Sequence, residues 1–374
     1  MSEGARARPA RLESAVALRA LATVLVVVIH TTHWPTGSVL YDDLDLLSRL
    51  AVPAFMVLTG VLLSYQYGAA PLRTREFLGR RFSRTLVPWL AWAPVYTLTG
   101  WFLTGDPVHS VIGVVNFIIY GAGHLWFLLL IPQMYLVYLV WPRRNLWWWA
   151  AAAMVTQTLL CIYRLYGPMP IGVLEQFFLW HGFQLLPFWI GYFAVGVAAG
   201  RTLASRGEPA RIRWGPVLAV AAVAALSGWL LVAVTYGSAP HAGFSQGTGG
   251  FLLPQEPLFV ISIAVLVWLT GRSVVARGGR LATVIRVLSE NSLGVYILHP
   301  IIIFLIARHM EGLLFTGLPV SFLGFLILTV SGLVAASAVA LLLSATPLAP
   351  TLGARRRAVS PPKPRTASSR SSAG

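Results

Sequence analysis

A single apolar stretch, LRALATVLVVVIHTTHW (18–34), carries three side chains able to do chemistry: Arg19, His30 and His33. Arg19 and His30 are 11 residues apart. On a helix that is close to three whole turns, which puts both on one face about 16 Å apart along the axis, with His33 one turn further. An ionised side chain at the centre of a bilayer costs roughly 2.5–3.5 kcal/mol. A face lined by Arg, His and His therefore turns toward a bundle interior or a wet cavity. The competing reading is that Arg19 snorkels to headgroups and both histidines lie at the outer interface. A permanently charged guanidinium suits phosphate oxygens. An imidazole suits proton transfer or nucleophilic attack.

Three further stretches add groups of the same kinds. EFLGRRFSRTLVPWLAW (76–92) places Arg80, Arg81 and Arg84 just before an apolar run, and Arg81 and Arg84 neighbour each other at helical spacing. Fixed arginines near a helix start suit phosphates, although membrane orientation alone also concentrates arginine there. GHLWFLLLIPQMYLVYLVW (123–141) begins with His124, and its Trp126, Tyr135 and Tyr138 are of the interfacial-belt type. LSENSLGVYILHPIII (288–303) puts His299 about mid-membrane, with Pro300 next to it; Ser289 is positioned to cap this helix and Glu290 to favour its first turn. A histidine beside a proline also satisfies a carbonyl that the proline frees. Zinc held by His30, His124 and His299 is a weaker reading, because the three come from separate runs without His-x-x-x-His spacing or a nearby carboxylate. No metal is expected.

These residues need an apolar scaffold, and the composition supplies one. Of 374 residues, 57% are hydrophobic and 11% charged, and the mean hydropathy is +0.73. Soluble domains carry about 25% charged residues. Ten apolar runs lie at roughly 15–33, 47–67, 84–103, 122–141, 146–165, 177–199, 214–236, 251–270, 289–307 and 319–344, with a weaker run at 111–120. A helix needs about 20 apolar residues to cross a bilayer. The expected fold is an all-α, polytopic transmembrane bundle of about ten spans. With the N-terminus inside, all 28 basic residues except Arg49, Arg164 and Arg308 fall on the inner side. That asymmetry predicts cytoplasmic N- and C-termini. It also gives the net charge of +16 a reading other than nucleic-acid binding, and no nucleic-acid partner is expected.

The expected organisation is a cytoplasmic N-terminus (1–14), a transmembrane domain (15–346) and a disordered basic cytoplasmic tail (347–374), the last from its Pro, Ser and Arg content. The basic N-terminus leads into an uncleaved first span rather than a signal peptide, because HTTHWP follows it and no small-x-small site. The single cysteine, Cys161, makes no intrachain disulfide. The Gly-rich segment 236–257 reads as a connector or as a lid over an outer site.

In this order along the chain, the motifs resemble acyltransferase family 3, the polytopic membrane acyltransferases that O-acylate sugars and glycans. Arg19 and His30 match its Arg-x10-His signature, and VPAFMVLTGVLLS (52–64) its second span with a Gly after Thr. FLGRRFSRTLVPW is similar to its Arg-x-x-Arg loop, and GHLWFL and SLGVYILHP to its later signatures. The match covers most of the chain. One position departs: the Asp often found three residues before the first-span Arg is Val16 here, and Glu13 is one turn earlier.

The resemblance implies transfer of an acyl group, commonly acetyl, from cytosolic acyl-CoA as co-substrate to a hydroxyl of an outward-facing or lipid-linked sugar, in the inner (plasma) membrane, with no permanently bound cofactor. On that reading Arg80, Arg81 and Arg84 hold the phosphates and Arg19 steadies the arm. His30 is the general base or is itself acylated. Tyr296 and His299 are candidate oxyanion donors. His33, His124 and Trp126 are candidates for the acceptor. Membrane lipids are partners, and no protein partner is read. Two rivals remain at this point. A lipid-phosphate glycosyltransferase would use Asp42, Asp43 or Asp45 in the first outer loop. A non-catalytic exporter predicts paired half-repeats, which the sequence does not show.

Overall fold

The computed structural model describes residues 11–32, 39–68, 72–104, 123–167, 182–208, 211–237, 251–314 and 322–354. Among them there are helices and no strands. The helices are α1 (Glu13–Thr31), α2 (Val39–Ser48), α3 (Ala51–Tyr67), α4 (Thr74–Thr104), α5 (Phe127–Val140) and α6 (Leu146–Tyr166). They continue as α7 (Ile190–Arg206), α8 (Trp214–Gly237), α9 (Glu256–Ala276), α10 (Gly279–Glu290), α11 (Ser292–Leu314) and α12 (Phe322–Ser344). Eight helical segments of the described residues are long and apolar enough to cross a membrane, α2 and α3 counting together as one. α4 carries arginines in its first turns, and α7 has 17 residues.

The apolar periodicity of α1 is filled on nearly every side. It packs against α3, α9, α10, α11 and α12. Ala22 and Val27 are fully buried. The Ser14 hydroxyl donates to the Trp268 carbonyl on α9 (3.1 Å), and Thr31 shares a hydrogen bond with Thr329 on α12 (2.8 Å). Its first turn has orphan N–H groups, which the Glu208 carboxylate takes: Glu13 and Ser14 N–H donate to its two oxygens at 3.2 and 3.0 Å. A central helix cannot point Arg19 or His30 at lipid. The lipid-facing surface belongs to peripheral helices instead, with Trp148 on α6, Trp229 on α8 and Leu342 on α12 exposed.

α3 and α7 cross at backbone contact. A Cβ at Gly60 would lie 2.3 Å from the Phe193 carbonyl oxygen, one at Gly196 2.1 Å from that of Val57, and one at Gly200 2.3 Å from that of Val61. Gly196 and Gly200 stand four apart, the small-residue spacing that lets membrane helices approach closely. This is the physical reason for the glycine after Thr59. α4, with 31 residues, is about 46 Å long and overshoots a ~30 Å hydrocarbon core. Its first turns run alongside the end of α3, where the Phe77 ring meets that of Tyr67 at 5.3 Å.

Two expectations change here. Residues 279–290 form a separate amphipathic helix, α10, after a turn at Gly278 and Gly279, whose φ values are +72° and +81°. Ser289 is thus in the last turn of α10 and buried; it does not cap α11, which starts at Ser292. Glu290 likewise ends α10 instead of opening α11. Past α12 the chain turns back as a short 3-10 turn, Ala349–Leu352, and the Trp92 indole N–H donates to the Thr351 carbonyl (3.1 Å). The 111–120 run and residues 238–250 of the Gly-rich segment lie outside the described residues.

Candidate active site

The end of the bundle where the arginines gather contains a cavity of about 460 Å³. Arg19, Val16 and Arg11 from α1 and its approach, Tyr65 and Gln66 from α3, Arg81 from α4 and Glu290 from α10 line it. Arg81 is held in place. Its guanidinium donates to Gln66 Oε1 (2.7 Å) and the Tyr67 hydroxyl (3.4 Å), and stands 5.4 Å from the Tyr67 ring centroid and 5.9 Å from that of Tyr135. Cation–π contacts of this kind orient a guanidinium while leaving donors for another oxygen. Arg11 pairs with Glu290 at 2.9 Å across the rim.

The three arginines grouped by sequence separate in space. Arg81 lines the cavity. Arg80 lies on the exposed side of α4, with its guanidinium 3.3 Å from the Glu76 carboxylate. Arg84 is exposed and does not line the cavity. Glu13 pairs with Arg286 at 3.7 Å and so faces α10. Val16, which stands where the family often has Asp, is part of the cavity wall.

At the far end of α1, three histidines from three elements meet. His30 lies in the last turn of α1, His124 in the 3-10 turn Gly123–Trp126, and His299 on α11. Their ring centroids are 4.8 Å apart for His30–His299, 5.5 Å for His124–His299 and 6.0 Å for His30–His124.

Pro300 explains much of this arrangement. It has no N–H, so the Tyr296 carbonyl four residues earlier loses its helical donor. His124 Nε2 sits 3.1 Å from that carbonyl oxygen. A carbonyl only accepts, so Nε2 carries the proton and Nδ1 keeps a lone pair. In return the Tyr296 hydroxyl donates to the His124 carbonyl. Tyr96 on α4 donates to the next carbonyl, Ile297, at 2.6 Å, and its ring centroid is 4.6 Å from that of His124. The freed carbonyl is thus satisfied by His124 rather than by the adjacent histidine. His299 Nδ1 donates to its own Val295 carbonyl (3.0 Å), which leaves Nε2 as an acceptor. That nitrogen is buried and has no hydrogen-bond partner, on a residue that is 0% exposed.

The Tyr296 hydroxyl is already engaged by the His124 carbonyl, and the open nitrogen of His299 carries a lone pair in the neutral ring, so in this arrangement neither presents a free N–H or O–H. Trp126 stacks on Trp189 (5.7 Å) and meets Phe183 (5.0 Å) and Phe251 (6.1 Å), so it belongs to a packed aromatic cluster beside the histidines rather than to an open face. His33 lies outside the described residues. Asp45 pairs with buried Arg49 at 2.6 Å, and Asp42 is exposed. Among the described residues no group of three His, Cys, Asp or Glu is disposed to hold a metal ion.

Tyr96 and Gln66 carry no motif, and the sequence reading passed over both. The Pro300 signal, a freed carbonyl that needs a donor, pointed in the sequence to the adjacent His299; the carbonyl four residues before the proline is the feature that leads to His124.

Comparison with family models matches residues 14–345 to a family described as an acyltransferase domain. Comparisons with curated proteins and with solved structures find no match.

Proposed function

The chain belongs to that acyltransferase family, and from this premise we propose that it moves an acyl group, acetyl in the first instance, from cytosolic acyl-CoA to a hydroxyl of a sugar or glycan on the far side of the membrane. The observation that carries the reading is α1 itself. One helix places a guanidinium in an arginine-rich cavity at one end and an imidazole in a three-histidine cluster toward the other. The axial distance between them is about 16 Å. The arm of coenzyme A between phosphate and sulfur has about a dozen bonds, or ~14 Å extended at the advance per bond of a peptide chain. Phosphates at the cavity would thus place a thioester close to His30.

In this reading Arg81 and Arg19 bind the phosphates or the polar arm. His30 takes the proton from the acceptor hydroxyl as its oxygen attacks the acyl carbon. The C–O bond forms, the C–S bond breaks, and the proton passes to the departing thiolate. His299 Nε2, beside His30, supplies a lone pair that keeps an imidazolium at His30 oriented. His124 fixes the turn that closes the cluster. Attack by His30 itself, with an acyl-imidazole intermediate, differs from this route by one observable: labelled acyl group on the protein with donor alone.

The placement of the parts follows the same proposal. Ten spans of an inner-membrane domain over 15–346, with both termini and the basic tail cytoplasmic, put the arginine cavity on the side where acyl-CoA is made.

The test is acyl transfer from labelled acetyl-CoA supplied to inverted membrane vesicles, with mass spectrometry of glycans and glycolipids from cells with and without the gene. His30→Ala is expected to lower transfer by 10²–10⁴-fold, the usual worth of a positioned base. Full activity of that variant, with the protein present at wild-type level, rejects the role of His30. Asp43→Asn leaves the activity unchanged on this reading and abolishes it for a lipid-phosphate glycosyltransferase.

A further inference from the structure

A second niche opens at the arginine-rich end of the bundle, on a different face of α3. Ser64 and Gly68 line it, where Leu62, Tyr65 and Gln66 line the large cavity. The other walls are Tyr138 and Trp141 at the end of α5, Arg143 in the following turn, Leu146 at the start of α6, and Arg201 on α7. No carboxylate lines it.

The unmatched groups are all donors. Arg143 and Arg201 are exposed, and neither pairs with a carboxylate among the described residues. The Trp141 indole nitrogen is buried and its N–H has no acceptor. Arg201 is seated against bare backbone, since a Cβ at Gly68 would lie 2.8 Å from its guanidinium. A buried N–H without an acceptor costs about 1–3 kcal/mol, and an anion seated between the two arginines would offer one. The enclosed space of the niche is small, about 30 Å³, close to the share of one water in the liquid, so an anionic group seats at the mouth of the niche, between the two exposed arginines. Beside it, Trp147 and Trp148 at the start of α6 project to the outside, 56% and 72% exposed. Indoles of this kind mark the depth of lipid headgroups. A basic pocket between spans at that depth is where headgroup phosphates bind.

We propose that this niche is a binding site for the phosphate of an anionic membrane phospholipid, held by Arg143, Arg201 and the Trp141 indole. The site is separate from the acyl-transfer centre, and its test does not depend on acyl transfer.

Native mass spectrometry of the full-length protein from mixed micelles of phosphatidylglycerol and phosphatidylcholine provides the readout. Two phosphate-bound arginines correspond to a preference of roughly 30-fold for the anionic lipid. The double variant Arg143→Gln/Arg201→Gln loses that preference. Trp141→Phe, which keeps an aromatic side chain and removes the indole N–H, lowers it severalfold. Arg144→Gln, an exposed neighbour outside the niche, leaves it unchanged. No preference in the wild-type chain, or full preference in the double variant, overturns the proposal. Retained lipid in excess inorganic phosphate or excess coenzyme A supports a lipid site. Displacement by either one makes it a site for free anions and also overturns the assignment.

Discussion

Arg80 and Arg81 are adjacent in sequence and unlike in what they can bind. Arg80 pairs with Glu76 on the exposed side of α4, an exposed ion pair worth about 0–1 kcal/mol. Arg81 is oriented by Gln66, Tyr67 and Tyr135 toward a cavity that it shares with Arg19. A hydrogen bond to a charged group contributes about 1.5–3 kcal/mol. Arg81→Gln is therefore expected to raise the KM for acyl-CoA by about 10–100-fold with kcat little changed, and Arg80→Gln by less than twofold. Steady-state kinetics in vesicles decide it; equal effects from the two variants would mean that the cavity is not the donor site. Both arginines were legible as a basic run. Their division was not, because it depends on which side of α4 meets α3.

At the scale of elements, the crossing with α7 seats α3, the helix that carries Gln66 and Tyr67, two of the partners of Arg81. Gly60, Gly196 and Gly200 bring the two backbones together, and no side chain fits between them. A bulkier residue there must push main chain against main chain, where overpacking costs at least the 1–3 kcal/mol usual for cores. Gly196→Val is expected to destabilise the protein and lower its melting temperature in detergent by several degrees or more. Gly79→Ala, on the open side of α4 with nothing within 4 Å of an added Cβ, is expected to leave it unchanged. Thermal unfolding followed by tryptophan fluorescence compares them. A tolerant Gly196 would show that the crossing can relax. The spacing of Gly196 and Gly200 is visible in the sequence; their partner helix is not.

For the whole molecule, the arginine cavity and the histidine cluster lie toward opposite ends of one central helix, and the proposed transfer takes its direction from that separation. Cysteine accessibility tests the orientation on which that direction depends. In a Cys161→Ser background, which removes the one buried native thiol, Ser205→Cys is expected to react with an impermeant maleimide only from the cytoplasmic side. Reaction from outside would invert the bundle and place the donor cavity away from acyl-CoA. By itself the sequence determined that this chain is helical and membrane-embedded, and that Arg19 and His30 fall at a spacing of nearly whole helical turns. Those features follow from local rules: helical period, the length of an apolar run, and the cost of charge in hydrocarbon. Only the tertiary structure decided that His30, His124 and His299 meet. It alone showed that Pro300 is answered by His124 and that Tyr96 completes the cluster, and it separated the niche of Arg143 and Arg201 from the cavity of Arg19 and Arg81. Each of these joins elements far apart in the chain, and such contacts are set by how helix faces pack, which no local pattern records.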